Sequence, residues 1–135
     1  MDFFLYLTDF SDWGMLLVRL ALGVVYLHHA SQKIPLWKTK PSEHMSANML
    51  YLLRFVSLVE TAGAFALIFG VFTQVAAAGL ALVMVGALYL KIVTWKRKFS
   101  GDGGWEFDFT LLSILIYLCI AGAGEISLDF ALWGL

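Results

Sequence analysis

The chain is poor in charge, in cysteine and in proline, and each shortage narrows what it can be. Of its 135 residues only 14% are charged, against about 25% in an ordinary soluble domain. A net charge of −1 leaves no basic face, so a nucleic-acid partner is not expected. Cys119 is the one cysteine, which excludes an internal disulfide and any Cys-x-x-Cys redox centre. The two prolines, Pro35 and Pro41, both fall in the polar stretch 31–48 and interrupt helix there. The opening residues, Met1-Asp2-Phe3-Phe4-Leu5, lack the basic region of a secretory signal, so the first apolar run is expected to insert uncleaved.

What is abundant is apolar: 61% of the residues, with a mean hydropathy of +0.82. They gather in four runs, 13–32, 50–72, 75–94 and 105–123, each near the roughly 20 residues that cross a hydrocarbon core. The expected fold is all-α: a four-transmembrane-helix bundle with a buried polar and charged centre, residues 1–135 forming one membrane domain in the lipid bilayer. Residues 1–12 carry Asp2, Asp9 and Asp12 among Phe and Leu. They read either as an amphipathic lead-in at the interface, anchored by Trp13, or as a frayed terminus.

Charges inside these runs are the informative residues. A carboxylate at bilayer depth costs roughly 2.5 to 3.5 kcal/mol, so Glu60 should face the bundle interior and find a partner. Arg19, His28, His29 and Lys33 are within the first run or just past it. At 100° per residue, Arg19, Gly23, Tyr26, Ala30 and Lys33 stay within about 40° of one line, with His29 about 80° off it and His28 almost opposite. A buried Arg19–Glu60 ion pair is expected; the alternative is that Arg19 snorkels to the nearer surface. In the fourth run Glu106, Thr110, Ser113 and Tyr117 share one face, which should point at protein, while Asp108 lies elsewhere near the headgroups. The Ala- and Gly-rich third run should permit close helix packing.

Orientation follows from the basic residues. Seven of the nine Lys and Arg lie in or beside the first and third loops: Lys33, Lys38, Lys40, Lys91, Lys96, Arg97 and Lys98. Arg54 is just inside the membrane on the same side. Loops 33–49 and 95–104 should therefore be cytoplasmic, with both termini outside. His28, His29, Lys33, Lys91 and Glu106 would then cluster at the cytoplasmic end, with Arg19 and Glu60 deeper.

Taken together, Arg19-Leu-Ala-Leu-Gly23, His29-Ala-Ser-Gln-Lys33, Glu60 followed by Gly70, Gly103-Gly104-Trp105-Glu106 and Gly122-Ala-Gly-Glu-Ile-Ser-Leu-Asp129 resemble the DoxX family. The motifs stand in the family's order over Met15 to Asp129. Ala30 departs from the Gly that commonly follows the His. The resemblance implies a four-helix bacterial inner-membrane protein. Relatives include the small membrane subunit of a thiosulfate:quinone oxidoreductase and proteins of sulfur metabolism and oxidative-stress complexes.

Beside that resemblance, two functions compete. In a quinone-linked redox subunit, His29 and Lys33 would donate to ring carbonyls, Tyr26 and Trp105 would wall the ring, and Glu106 would exchange protons, with Tyr117 on the same stripe. Haem is not expected, because His28 and His29 are adjacent on one helix and His44 is in a loop. Adjacent helical histidines do not converge on one metal ion, and no flavin or nicotinamide fingerprint is present, so electrons would come from a partner subunit. The alternative is a non-enzymatic anchor or assembly factor for a partner oxidoreductase, docked on the basic loops, with the charged centre as a structural ion-pair network. A homo-oligomer is compatible with either. A small transporter fits less well, since no internal repeat is evident.

Overall fold

The computed structural model describes residues 9–43 and 45–134, and these are helical, with no strands. Helix α1, Ser11–Gln32, begins with Asp12 in its first turn, where a carboxylate suits the positive end of the helix. Pro35 then tightens the chain into a short 3₁₀ turn, Ile34–Trp37. Ser46 caps α2, Ala47–Phe69, by accepting from Met49 N–H at 3.3 Å. Arg54 on α2 donates to the carbonyls of Leu36 and Thr39, which pins the first loop against the bundle. Most of the proposed lead-in, and His44, lie outside the described residues.

The α2–α3 connection is a Schellman turn. Gly70 takes φ 64°, Gly70 N–H donates to Leu67 O at 3.2 Å, and Val71 N–H to Ala66 O at 2.9 Å. Helix α3, Thr73–Tyr89, continues through a π turn at Leu90–Thr94. Helix α4 is Glu106–Ala121, and a short α5, Leu128–Trp133, closes the described chain. Three helical stretches, Ser11–Gln32, Ala47–Phe69 and Thr73–Thr94, are long and apolar enough to cross a membrane. Their 22, 23 and 22 residues rise about 33 to 35 Å. The 16 residues of α4 rise about 24 Å, against roughly 30 Å of hydrocarbon.

All four long helices contribute to one core, with Leu22 and Tyr26 meeting Leu67, Leu80, Leu115 and Leu118. Around it lies an apolar exterior that includes Leu17, Val75, Leu82 and Ile120. Such a sheath would be an aggregation hazard in water and is at rest in lipid. The small residues of α3 do not all pack closely. Gly63 of α2 receives Leu80, whereas a Cβ on Gly79 or Gly86 would meet nothing within 4 Å.

Away from the basic loops, the tail 122–129 folds back as a clasp. Asp129 accepts from Phe72 N–H at 2.7 Å and Thr73 N–H at 2.8 Å, capping α3, while its own N–H donates to Gly70 O. Asp12 accepts from Glu125 N–H at 2.8 Å, tying the same segment to α1. Arg19 is buried in this clasp, donating to Leu67 O and Ile126 O, so it neither snorkels nor reaches Glu60. The expected Arg19–Glu60 pair is not formed. Arg19 Nη1 occupies the space where a Cβ on Gly70 would stand.

Candidate functional site

Glu60 does have a cationic partner, and it is Lys33. The Lys33 Nζ lies 2.6 Å from Glu60 Oε2, with the carboxylate side chain 2% exposed and the lysine 21%. Lys33 follows the last residue of α1, and its Nζ also donates to His29 O at 3.2 Å, at the carbonyl-rich end of that helix. The lysine stem thereby runs along the bundle and delivers its charge to α2.

A second pair joins α3 to α4. Lys91, in the π turn, stands 2.5 Å from Asp108 Oδ2 and donates to Gly104 O at 3.1 Å. Asp108 is buried, which corrects the expectation that it lies apart near the headgroups. The reason is the rotation of α4. Asp108, Leu111, Leu115 and Leu118 form its inward face, and three leucines carry more burial than the alternative stripe could. Glu106, Thr110, Ser113 and Tyr117 point outward instead. Thr110 donates to Glu106 O and Ser113 to Phe109 O, so their hydroxyls are satisfied within the helix and need no partner across the bundle.

Between these pairs sits His29, half-buried, with Tyr26 and Phe107 rings at centroid distances of 6.1 and 5.9 Å. The Tyr26 hydroxyl is fully buried and has no hydrogen-bond partner among the described residues, and it lies in the field of both Glu60 and Asp108. His29 feels the same two carboxylates. Tyr26, His29, Lys33, Glu60, Lys91 and Asp108 therefore make one polar layer. Among the described residues no three His, Cys, Asp or Glu side chains are grouped as metal ligands.

The layer floors a groove of about 780 Å³ between α2 and α3. Leu53, Val56, Val59, Val83, Met84 and Ala87 are among its walls, and His29, Lys33, Glu60, Lys91 and Asp108 reach it. The volume is that of a pocket for a drug-sized molecule. Of the residues singled out from sequence, the structure brings His29, Lys33 and Glu60 together, with Tyr26 just behind them. Trp105 packs edge-on to Phe99 and Phe109 and does not line the groove. Glu106 and Tyr117 are exposed and absent from it. Asp108 and the lining Trp95 had no assigned part in the sequence reading; the run Asp108-x-x-Leu-x-x-x-Leu was the available signal.

The sequence profile of the DoxX family matches residues 14–95. The protein named "Putative oxidoreductase CatD" of Bacillus subtilis (strain 168) is 28% identical over 117 residues, covering 86% of this chain and 84% of that one. No solved structure matches the chain. The matched stretch carries Arg19, His29, Lys33, Glu60, Gly70 and Lys91, while Asp108 and the clasp lie beyond it. With the profile spanning more than half of the sequence, this helical membrane protein belongs to the DoxX family.

Proposed function

We propose that the protein is the membrane subunit of a quinone-linked oxidoreductase assembly, holding a quinone head on the charged floor between α2 and α3. The observation that carries the reading is the groove itself: apolar walls ending on two ammonium–carboxylate pairs and an imidazole. Lys33, Lys91 and His29 line the groove and supply donors for ring carbonyls, with Tyr26 packed behind them and outside its lining. A bound quinone takes up two electrons and two protons on reduction. Glu60, Asp108 and His29 are the groups that exchange protons here, and the electrons come from a partner oxidoreductase subunit.

In this reading α4 completes a four-helix crossing in the bacterial inner membrane. The charged pairs sit at the end that carries eight of the nine Lys and Arg, and the positive-inside rule makes that end cytoplasmic. A non-enzymatic anchor or assembly factor is the second reading. It is favoured by the fact that Lys33–Glu60 joins α1 to α2 and Lys91–Asp108 joins α3 to α4, as register locks would.

Mass spectrometry of organic extracts from protein purified in mild detergent separates the two. Near-stoichiometric quinone in wild type, lost in His29→Ala, supports the redox subunit. Extracts without quinone, together with co-purification of a soluble oxidoreductase, support the anchor.

A further inference from the structure

The tail 122–129, which the quinone reading does not use, helps to build a second cleft, away from the basic loops. This cleft holds about 550 Å³ between the start of α3, the end of α4 and α5. Thr73 lines it and is 1% exposed, and its hydroxyl has no hydrogen-bond partner among the described residues. A buried polar atom left in that state beside a cleft calls for a partner from outside the chain.

What the cleft offers is acceptors. Each Asp129 carboxylate oxygen takes one backbone N–H, from Phe72 or Thr73, and keeps a second lone pair. Gln74 Nε2 donates to Cys119 O at 2.9 Å, which leaves Oε1 as an acceptor. Ala121 and Gly122 bring in the C-terminal end of α4, where the last carbonyls lack intrahelical donors and carry partial negative charge. Among the described lining residues there is no Lys, Arg or His, and Asp129 is the one formal charge. Arg19 shares the clasp, but it donates to Leu67 O and Ile126 O. An anion therefore finds no cation here, and the first α3 N–H groups are already covered by Asp129. Phe72 and Trp133 stand at the wall with ring centroids 5.2 Å apart, both half-exposed or more, and offer π faces to a cation.

We propose that this cleft binds a primary ammonium group, as carried by an ethanolamine lipid headgroup or by a small free amine. Its three N–H donors match the Asp129 carboxylate, the Thr73 hydroxyl oxygen and Gln74 Oε1, and it has no acceptor to leave unpaired. Its charge is opposite to that of Asp129 and suits the Phe72 and Trp133 rings. The inference does not depend on the quinone reading.

The test titrates the detergent-purified full chain with dioctanoyl phosphatidylethanolamine, phosphatidylcholine and phosphatidylglycerol, and separately with free ethanolamine, reading binding by microscale thermophoresis. Thr73→Val keeps the side-chain shape and the capped backbone N–H but removes the hydroxyl. Trp133→Leu removes the exposed ring, and thermal unfolding checks the fold of both variants. The expected result is phosphatidylethanolamine bound at least about tenfold tighter than the other two lipids, and weakened about fivefold by each variant. Free ethanolamine binding as tightly as the lipid, with the same losses in the variants, assigns the site to a soluble amine. Much weaker binding of ethanolamine assigns it to the lipid headgroup. Equal binding of the three lipids, or a preference for phosphatidylcholine or phosphatidylglycerol, overturns the proposal. So does wild type that binds neither phosphatidylethanolamine nor ethanolamine, or binding untouched by both variants.

Discussion

The Lys33 ammonium, just past the end of α1, stands 2.6 Å from the Glu60 carboxylate in the middle of α2, and the carboxylate is almost wholly shielded. A membrane helix can carry Glu60 because this contact supplies the opposite charge at the same depth. Replacing one partner leaves the other stranded. Lys33→Met or Glu60→Leu alone should lower stability by about 3 to 5 kcal/mol, read as thermal unfolding in detergent. The double variant should recover most of that loss; a double variant no better than the worse single one would show the pair is not the coupling.

Asp108 and Glu106 give opposite expectations although they are two residues apart. Asp108→Asn removes the charge that Lys91 faces in the interior and should destabilise by about 3 kcal/mol or more. Glu106→Gln, on the exposed side of α4, should stay within about 0.5 kcal/mol of wild type. Equal losses in the two variants would mean that α4 is rotated from the position described.

The clasp is testable through Asp129. Its carboxylate takes two backbone N–H groups at the start of α3, so Asp129→Ala should lose about 1 to 2 kcal/mol. Hydrogen exchange at Phe72 and Thr73 amides should accelerate in that variant. Unchanged exchange there would remove the cap from the account.

Gly70 and Gly86 should likewise part company. Gly70 has φ 64° and no room beside Arg19, so Gly70→Ala should cost at least about 1 to 2 kcal/mol from backbone conformation alone. Gly86→Ala meets nothing and, in mid-helix, should be neutral or stabilising. Thermal unfolding of both variants checks the contrast.

Much of this was legible in the sequence. Long apolar runs gave three helices within a few residues of their observed ends, and the rarity of charge in them pointed to Glu60 as an interior group, with Lys33 one of four candidate partners and Arg19 the expected one. The orientation of α4 was not legible. In lipid the outside of a bundle is as apolar as its core, so a stripe such as Leu111-Leu115-Leu118 does not announce which side is buried. The polar stripe from Glu106 to Tyr117 misled because Thr110 and Ser113 satisfy themselves on their own helix. Arg19 was rightly read as buried but wrongly paired. Its partners are the backbone carbonyls of Leu67 and Ile126, and a contact across 107 residues leaves no mark in local spacing.

The most direct measurement of the central claim is photo-cross-linking with an azido-quinone, followed by peptide mapping. The account predicts label on α2 between Met49 and Glu60 and on α3 and the π turn after it, from Gly79 to Trp95, competed away by unlabelled quinone. Label confined to the outward face of Thr110, Ser113 and Tyr117, or label that no quinone displaces, would contradict it.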